Sequence, residues 1–66
     1  MRIILNGNAL EVQASVNVSD LLKRQGYQGK LVAVALNGLF LPKIKYEDTF
    51  LQDNDKIEIV APMQGG

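Results

Sequence analysis

Asp53-Asn54-Asp55-Lys56-Ile57-Glu58-Ile59-Val60-Ala61-Pro62-Met63-Gln64-Gly65-Gly66 runs from a tight turn through a strand into a tail that stops on two glycines. Asn54, set between two acids, suits the left-handed backbone that such a turn requires. The alternation over Lys56 to Val60 predicts a strand with Ile57 and Ile59 facing inward and Glu58 and Val60 outward. Glycine is about 7% of an average protein, so chance places a pair at two given positions in about one chain in two hundred. Small residues also collect at frayed ends where nothing packs, so the pair alone assigns no role. The chain divides into a folded domain over 1–60 and a flexible tail over 61–66.

A chain of 66 residues is one small domain, of the size that buries only about 60% of the surface its unfolded form exposes. Hydrophobic residues at 47% and charged residues at 21% lie in the globular range. Lys and Arg total 7 and Asp and Glu total 7, so no net field recruits nucleic acid or an anionic membrane. The chain lacks Cys, which excludes disulfides and thiolate chemistry, and lacks His, the commonest general base and metal ligand. No catalytic residue, bound cofactor or metal is expected. Ile3, Ile4 and Leu5 are too short an apolar run for a signal segment or a membrane span, so the expected location is cytoplasmic.

From the start, Met1 to Asn6 and Ala9 to Gln13 read as two strands joined through Asn6-Gly7-Asn8, a strong hairpin signal. With Met1, Ile3 and Leu5 inward, Leu10 and Val12 share their face and Ile4 points out. Asn17 is placed to cap a helix over Val18 to Gln25, with Asp20 at its third position and Val18, Leu21 and Leu22 forming the apolar stripe. Lys23 and Arg24 suit its last turn, Gly26 a left-handed stop, and Tyr27 packing back on Leu22. Leu31 to Asn37 is the next strand, with Val32, Val34 and Leu36 to the core and Leu31, Ala33 and Ala35 outward. Asn37-Gly38 turns it into Leu39-Phe40-Leu41, an edge strand that Pro42 ends. Lys43 to Gln52 is irregular, with room for a single helical turn, and Tyr46, Phe50 and Leu51 are its expected anchors. The first and last strands can then lie side by side in the sheet's centre.

This order resembles the ubiquitin-like β-grasp group, and within it the ThiS-type sulfur carriers of thiamin biosynthesis. The resemblance covers essentially the whole chain. It rests on Val34-Ala35-Leu36-Asn37-Gly38, Leu41-Pro42-Lys43, the run from Leu51 to Val60, and Gly65-Gly66 at a fixed distance beyond it. Two positions depart: Asn54 stands where the family's final turn usually has glycine, and Lys43 where Arg is more usual. The fold implied is α+β, a mixed sheet of four to five strands with one main helix on one face and a flexible C-terminal tail.

The resemblance implies a co-substrate, not an enzyme. A ThiF-type adenylating enzyme would use ATP and Mg²⁺ to convert the Gly66 carboxylate to an acyl-adenylate. A sulfur donor, such as a cysteine desulfurase or a rhodanese-like protein, would replace AMP and leave a thiocarboxylate. A ThiG-type thiazole synthase would then take the sulfur. Gly65, Gln64, Met63 and Pro62 would be the tail positions that partner enzymes contact. Without a Cβ, the two glycines suit a narrow channel, and six residues from Ala61 reach about 20 Å when extended. The related alternatives are the small sulfur-carrying subunit of molybdopterin synthase, whose family tends to be longer, and a ubiquitin-like protein modifier. A non-covalent adaptor with an inert tail is a further class.

Ala33 and Ala35 either leave room for a partner to approach the sheet or are small residues of no consequence. Ile4, Phe40 and Val60 either add an exposed apolar patch or are scattered surface residues. Asp53 and Asp55 read as turn chemistry, and Lys43 and Lys45 as solvated charges.

Overall fold

The two Asn-Gly pairs set the two hairpins. Asn6 and Gly7 have φ of 48° and 85°, and Asn37 and Gly38 have 51° and 85°. Positive φ at both central residues is the primed turn whose twist matches that of the flanking strands. In this computed structural model, which describes residues 1–61, β1 (Arg2–Leu5) and β2 (Asn8–Glu11) form the first hairpin. β3 (Ala33–Leu36) and β4 (Leu39–Leu41) form the second.

The first loop is a residue shorter than the sequence suggests. Asn8 already pairs with Leu5 and Ile3 with Leu10, because a primed turn needs only its two central residues. Backbone bonds continue past the last paired residues: the amide of Val12 donates to the Met1 carbonyl at 2.8 Å, and the Met1 amine to the Val12 carbonyl at 2.8 Å.

Helix α1 (Val18–Arg24) starts where expected, its Asn17 side chain accepting from the Asp20 amide at 2.7 Å. It ends in a Schellman turn: the Tyr27 amide donates to Leu22 at 2.8 Å and the Gly26 amide to Lys23 at 3.1 Å. That geometry needs a left-handed residue, and Gly26 has φ 85°. The helix ends at Arg24, with Gln25 as its cap.

β5 (Lys56–Val60) lies at the middle of a five-stranded sheet of order β2-β1-β5-β3-β4, parallel to β1 and antiparallel to β3. The mixed sheet, its central final strand and its edge β4 are as the sequence predicts. Helix and sheet bury Ile3, Val18, Leu21, Val34 and Ile57, each under 2% exposed. At about 25 cal/mol per Å² of apolar surface removed from water, contacts of this kind supply most of the stability a short helix cannot supply alone.

A 3₁₀ turn over Lys43–Lys45 begins the crossing from β4 to β5. Tyr46 and Leu51 are buried as expected, but Phe50 is 57% exposed and anchors nothing. Phe50 bridges Asn17 in extended backbone, and alternation there turns Leu51 in and Phe50 out. β3 begins at Ala33, not Leu31, and Leu31 is 73% exposed. Val16, outside every periodic run, is buried at 3% and holds the Leu51 amide through its carbonyl at 2.9 Å.

Candidate functional site

Two asparagines hold β5 beyond its paired residues. The paired register of β1 with β5 is Ile4 with Lys56 and Leu5 with Ile57. Past Leu5, the Asn6 side chain takes over: its Oδ1 accepts from the Ile59 amide at 2.8 Å and its Nδ2 donates to the Ile59 carbonyl at 3.3 Å. The amide group thus acts as one more peptide unit of β1. Across the sheet, Asn37 Oδ1 accepts from the Lys56 amide at 2.9 Å, and Asn37 Nδ2 donates to Asp55 Oδ1 at 3.0 Å.

The acids before β5 serve the turn, as the sequence suggests. Asp53 Oδ1 accepts from the Arg2 amide at 2.9 Å and Asp55 Oδ2 from the Gln52 amide at 2.8 Å. Asn54 has φ 71°. Among the described residues no cluster of acids, Cys or His could hold a metal ion, and no helix is long and apolar enough to cross a membrane.

β5 is therefore fixed on both flanks and at its start, and delivers Val60 and Ala61 from the sheet's centre. The predicted tail residues Pro62, Met63, Gln64, Gly65 and Gly66 lie outside the described residues. Beside the exit, Val60 pairs with Ala33, and Ala35 pairs with both Glu58 and Phe40. Phe40 is 71% and Val60 63% exposed. With the two alanines they line a shallow groove of about 470 Å³ on the face opposite the helix. Ile4 is half-buried and lines a separate depression with Lys56 and Glu58. The structure thus brings Ala33, Ala35, Phe40 and Val60 together and leaves Ile4 apart.

The side-chain work of Asn6 and Asn37 escaped sequence reasoning, which used them only as turn residues. The available signal is that an Asn carries both a donor and an acceptor, and here sits at a strand end next to an unpaired length of neighbour.

The family model described as ThiS family matches residues 3–66. The chain belongs to the ThiS family. A solved ThiS, the thiamine biosynthesis protein of Geobacter metallireducens, superposes on this ThiS-family chain with a TM-score of 0.84 at 33% identity, covering 100% of both chains. A thiazole synthase of Paramagnetospirillum magneticum is 38% identical over 66 residues, all of this ThiS-family chain but 20% of that protein's length. An uncharacterized protein of Pyropia yezoensis is 31% identical over 64 residues, covering 97% of this chain and 90% of that one. The ubiquitin-like β-grasp fold is shared with the Geobacter metallireducens structure over the whole of both chains.

Proposed function

We propose that this chain is a sulfur carrier of thiamin biosynthesis, a reagent whose Gly66 carboxylate is activated and loaded by partner enzymes. The observation that carries the reading is the family match over 3–66, which spans both the β-grasp body and the diglycine. The fixed course of β5 supports it, since a rigid body aims whatever follows Ala61.

In this reading the carboxylate oxygen of Gly66 attacks the α-phosphorus of ATP on a ThiF-type enzyme that also binds Mg²⁺, and pyrophosphate leaves. The acyl-adenylate is a good electrophile because AMP leaves readily, whereas a carboxylate anion repels nucleophiles. The outer sulfur of a donor persulfide attacks the carbonyl carbon and expels AMP. A second thiol reduces the resulting acyl disulfide, which leaves the thiocarboxylate on Gly66. The donor is a cysteine desulfurase or a rhodanese-like protein. None of these steps calls for a side chain of the carrier, in keeping with a sequence that lacks Cys and His.

A ThiG-type thiazole synthase is the consumer. The Paramagnetospirillum magneticum thiazole synthase contains, within its longer chain, a segment similar to all of this one; tethering of that kind raises the effective concentration of two groups that must meet. The groove of Ala33, Ala35, Phe40 and Val60 is the apolar surface by which the activating enzyme recognises the body.

The test is consumption of the loaded protein. Thiocarboxylated chain should lose its sulfur to thiazole synthase in the presence of the other thiazole precursors. Turnover by molybdopterin synthase with its precursor, and none by thiazole synthase, would overturn the branch.

A further inference from the structure

Asn37 and Gly38 are the central residues of the turn between β3 and β4, and both are exposed. An asparagine followed by glycine carries a latent reaction of its own. The glycine amide nitrogen can reach the asparagine Cγ and close a ring, and glycine obstructs that approach least because it has no Cβ. The Gly38 amide donates to no backbone group among the described residues. Open space surrounds Gly38 on the side where another residue would carry its side chain. The nucleophile is therefore free, and what restrains the reaction is the asparagine.

The Asn37 amide group is committed to the start of β5. Its Oδ1 accepts from the Lys56 amide at 2.9 Å, and its Nδ2 donates to Asp55 Oδ1 at 3.0 Å. Rotation toward Gly38 breaks both bonds. Both lie in solvent, whereas the corresponding bonds of Asn6 to Ile59 are partly buried, on a residue only 5% exposed. The strand that follows Gly38 also has only three residues, of which Leu39 is 73% and Phe40 71% exposed. Elements with so little buried surface open locally at low free energy, so the Asn37 clamp releases more often than that of Asn6.

We propose that Asn37 is a site of spontaneous deamidation, protected while its side chain holds Lys56 and Asp55 and reactive with Gly38 when that clamp opens. The Gly38 amide gives its proton to hydroxide and its nitrogen bonds to Cγ of Asn37. The Cγ–Nδ2 bond breaks, and the nitrogen leaves as ammonia with a proton from water. Solvent water then opens the resulting succinimide at either carbonyl, giving aspartate or isoaspartate, with no change of oxidation state.

The product cannot remake the clamp. An aspartate at position 37 would set a carboxylate oxygen against Asp55 Oδ1, where the amide had donated at 3.0 Å, and like charges at that distance repel. An isoaspartate lengthens the backbone by a methylene and spoils a turn that depends on positive φ at both central residues, 51° and 85°. Either product loosens the start of the central strand, whatever the tail carries.

Peptide mapping by mass spectrometry tests this, following both Asn-Gly pairs while the full chain stands in mildly alkaline buffer, with a sample in urea as the unfolded reference. Each conversion adds the difference between a hydroxyl and an amino group. In urea the two pairs should react at similar rates; in buffer both should slow, with Asn37 ahead of Asn6 by about threefold or more. Asp55→Ala removes the acceptor of Asn37 Nδ2 and should speed conversion at Asn37 by about fivefold while leaving Asn6 unchanged. Should Asp55→Ala not fold by circular dichroism, Asp55→Ser takes its place with the same expectation. Asn37→Asp should lower the urea midpoint, and most of that loss should return when Asp55→Asn removes the facing charge. Conversion of Asn6 as fast as Asn37 in buffer, no conversion of Asn37 in buffer while the urea sample reacts, or an unchanged Asn37 rate in the folded Asp55 variant overturns the proposal. An Asn37→Asp loss that is the same with Asp55 and with Asp55→Asn overturns the role given to Asp55.

Discussion

Replacing Asn6 with Gly isolates the side-chain clamp on β5, because Gly accepts the positive φ of 48° at that position without strain. The substitution deletes two hydrogen bonds to Ile59, one at 2.8 Å and one at 3.3 Å. A neutral hydrogen bond contributes about 1 kcal/mol net, and the longer bond less, so the expected loss is about 1.5 kcal/mol. Water reaching the exposed end of β1 prevents the larger penalty of a sealed, unpaired amide. In a domain this small, with a total stability of about 3 to 5 kcal/mol, that is a large fraction, and it corresponds to a Tm lower by about 6 to 12 °C. Urea denaturation of wild type, Asn6→Gly and Asn6→Asp measures it. The aspartate keeps the acceptor for the Ile59 amide and loses only the donor, so it should fall between the other two. An Asn6→Gly variant within about 0.5 kcal/mol of wild type would refute the reasoning, since surface changes without a structural role lie in that range.

Leu21→Ala removes a side chain that is 1% exposed under the sheet and should cost about 2 to 5 kcal/mol, half or more of the total stability, read by circular dichroism as a much lower urea midpoint or outright unfolding. Gly26→Ala puts a Cβ into open space at φ +85°, so its cost of about 1 to 2 kcal/mol in urea denaturation comes from backbone strain alone. Phe40→Ser, at a side chain 71% exposed, should leave the urea midpoint nearly unchanged and weaken binding to the activating enzyme about tenfold or more, as titration would show.

Most of the fold is legible in the sequence, since local and global signals agree. Both Asn-Gly pairs dictate primed turns, and β5 alternates without exception from Lys56 to Val60. Asn17 and Gly26 bracket the helix with side-chain and left-handed caps. The misses fall where no periodicity operates. Phe50 and Leu51 are adjacent apolar residues in a crossing segment, and only the Asn17 bridge decides which turns inward. Val16 is an isolated apolar residue after Ser15, whose φ of 69° redirects the chain toward the core.

The candidate site was legible in a different way. The apolar groove follows from strand parity, because Ala33, Ala35 and Val60 had already been assigned to the outer face. Whether Ile4 joins them depends on register: Ile4 pairs with Lys56 at the start of β5, and Phe40 lies opposite Ala35 nearer its end. The Asn6 clamp joins residues far apart in sequence, brought together only by the completed sheet. Tail residues 62–66 were read from the diglycine and the family resemblance.

Intact-mass spectrometry of the chain after incubation with the ThiF-type enzyme, ATP, Mg²⁺ and a sulfur donor tests the central claim most directly. A product heavier by the difference between a sulfur and an oxygen atom, localised by fragmentation to Gly66 and absent when Gly66 is deleted, is the predicted result. An unchanged mass with enzyme competent on another carrier, or the same gain in the chain lacking Gly66, would contradict it.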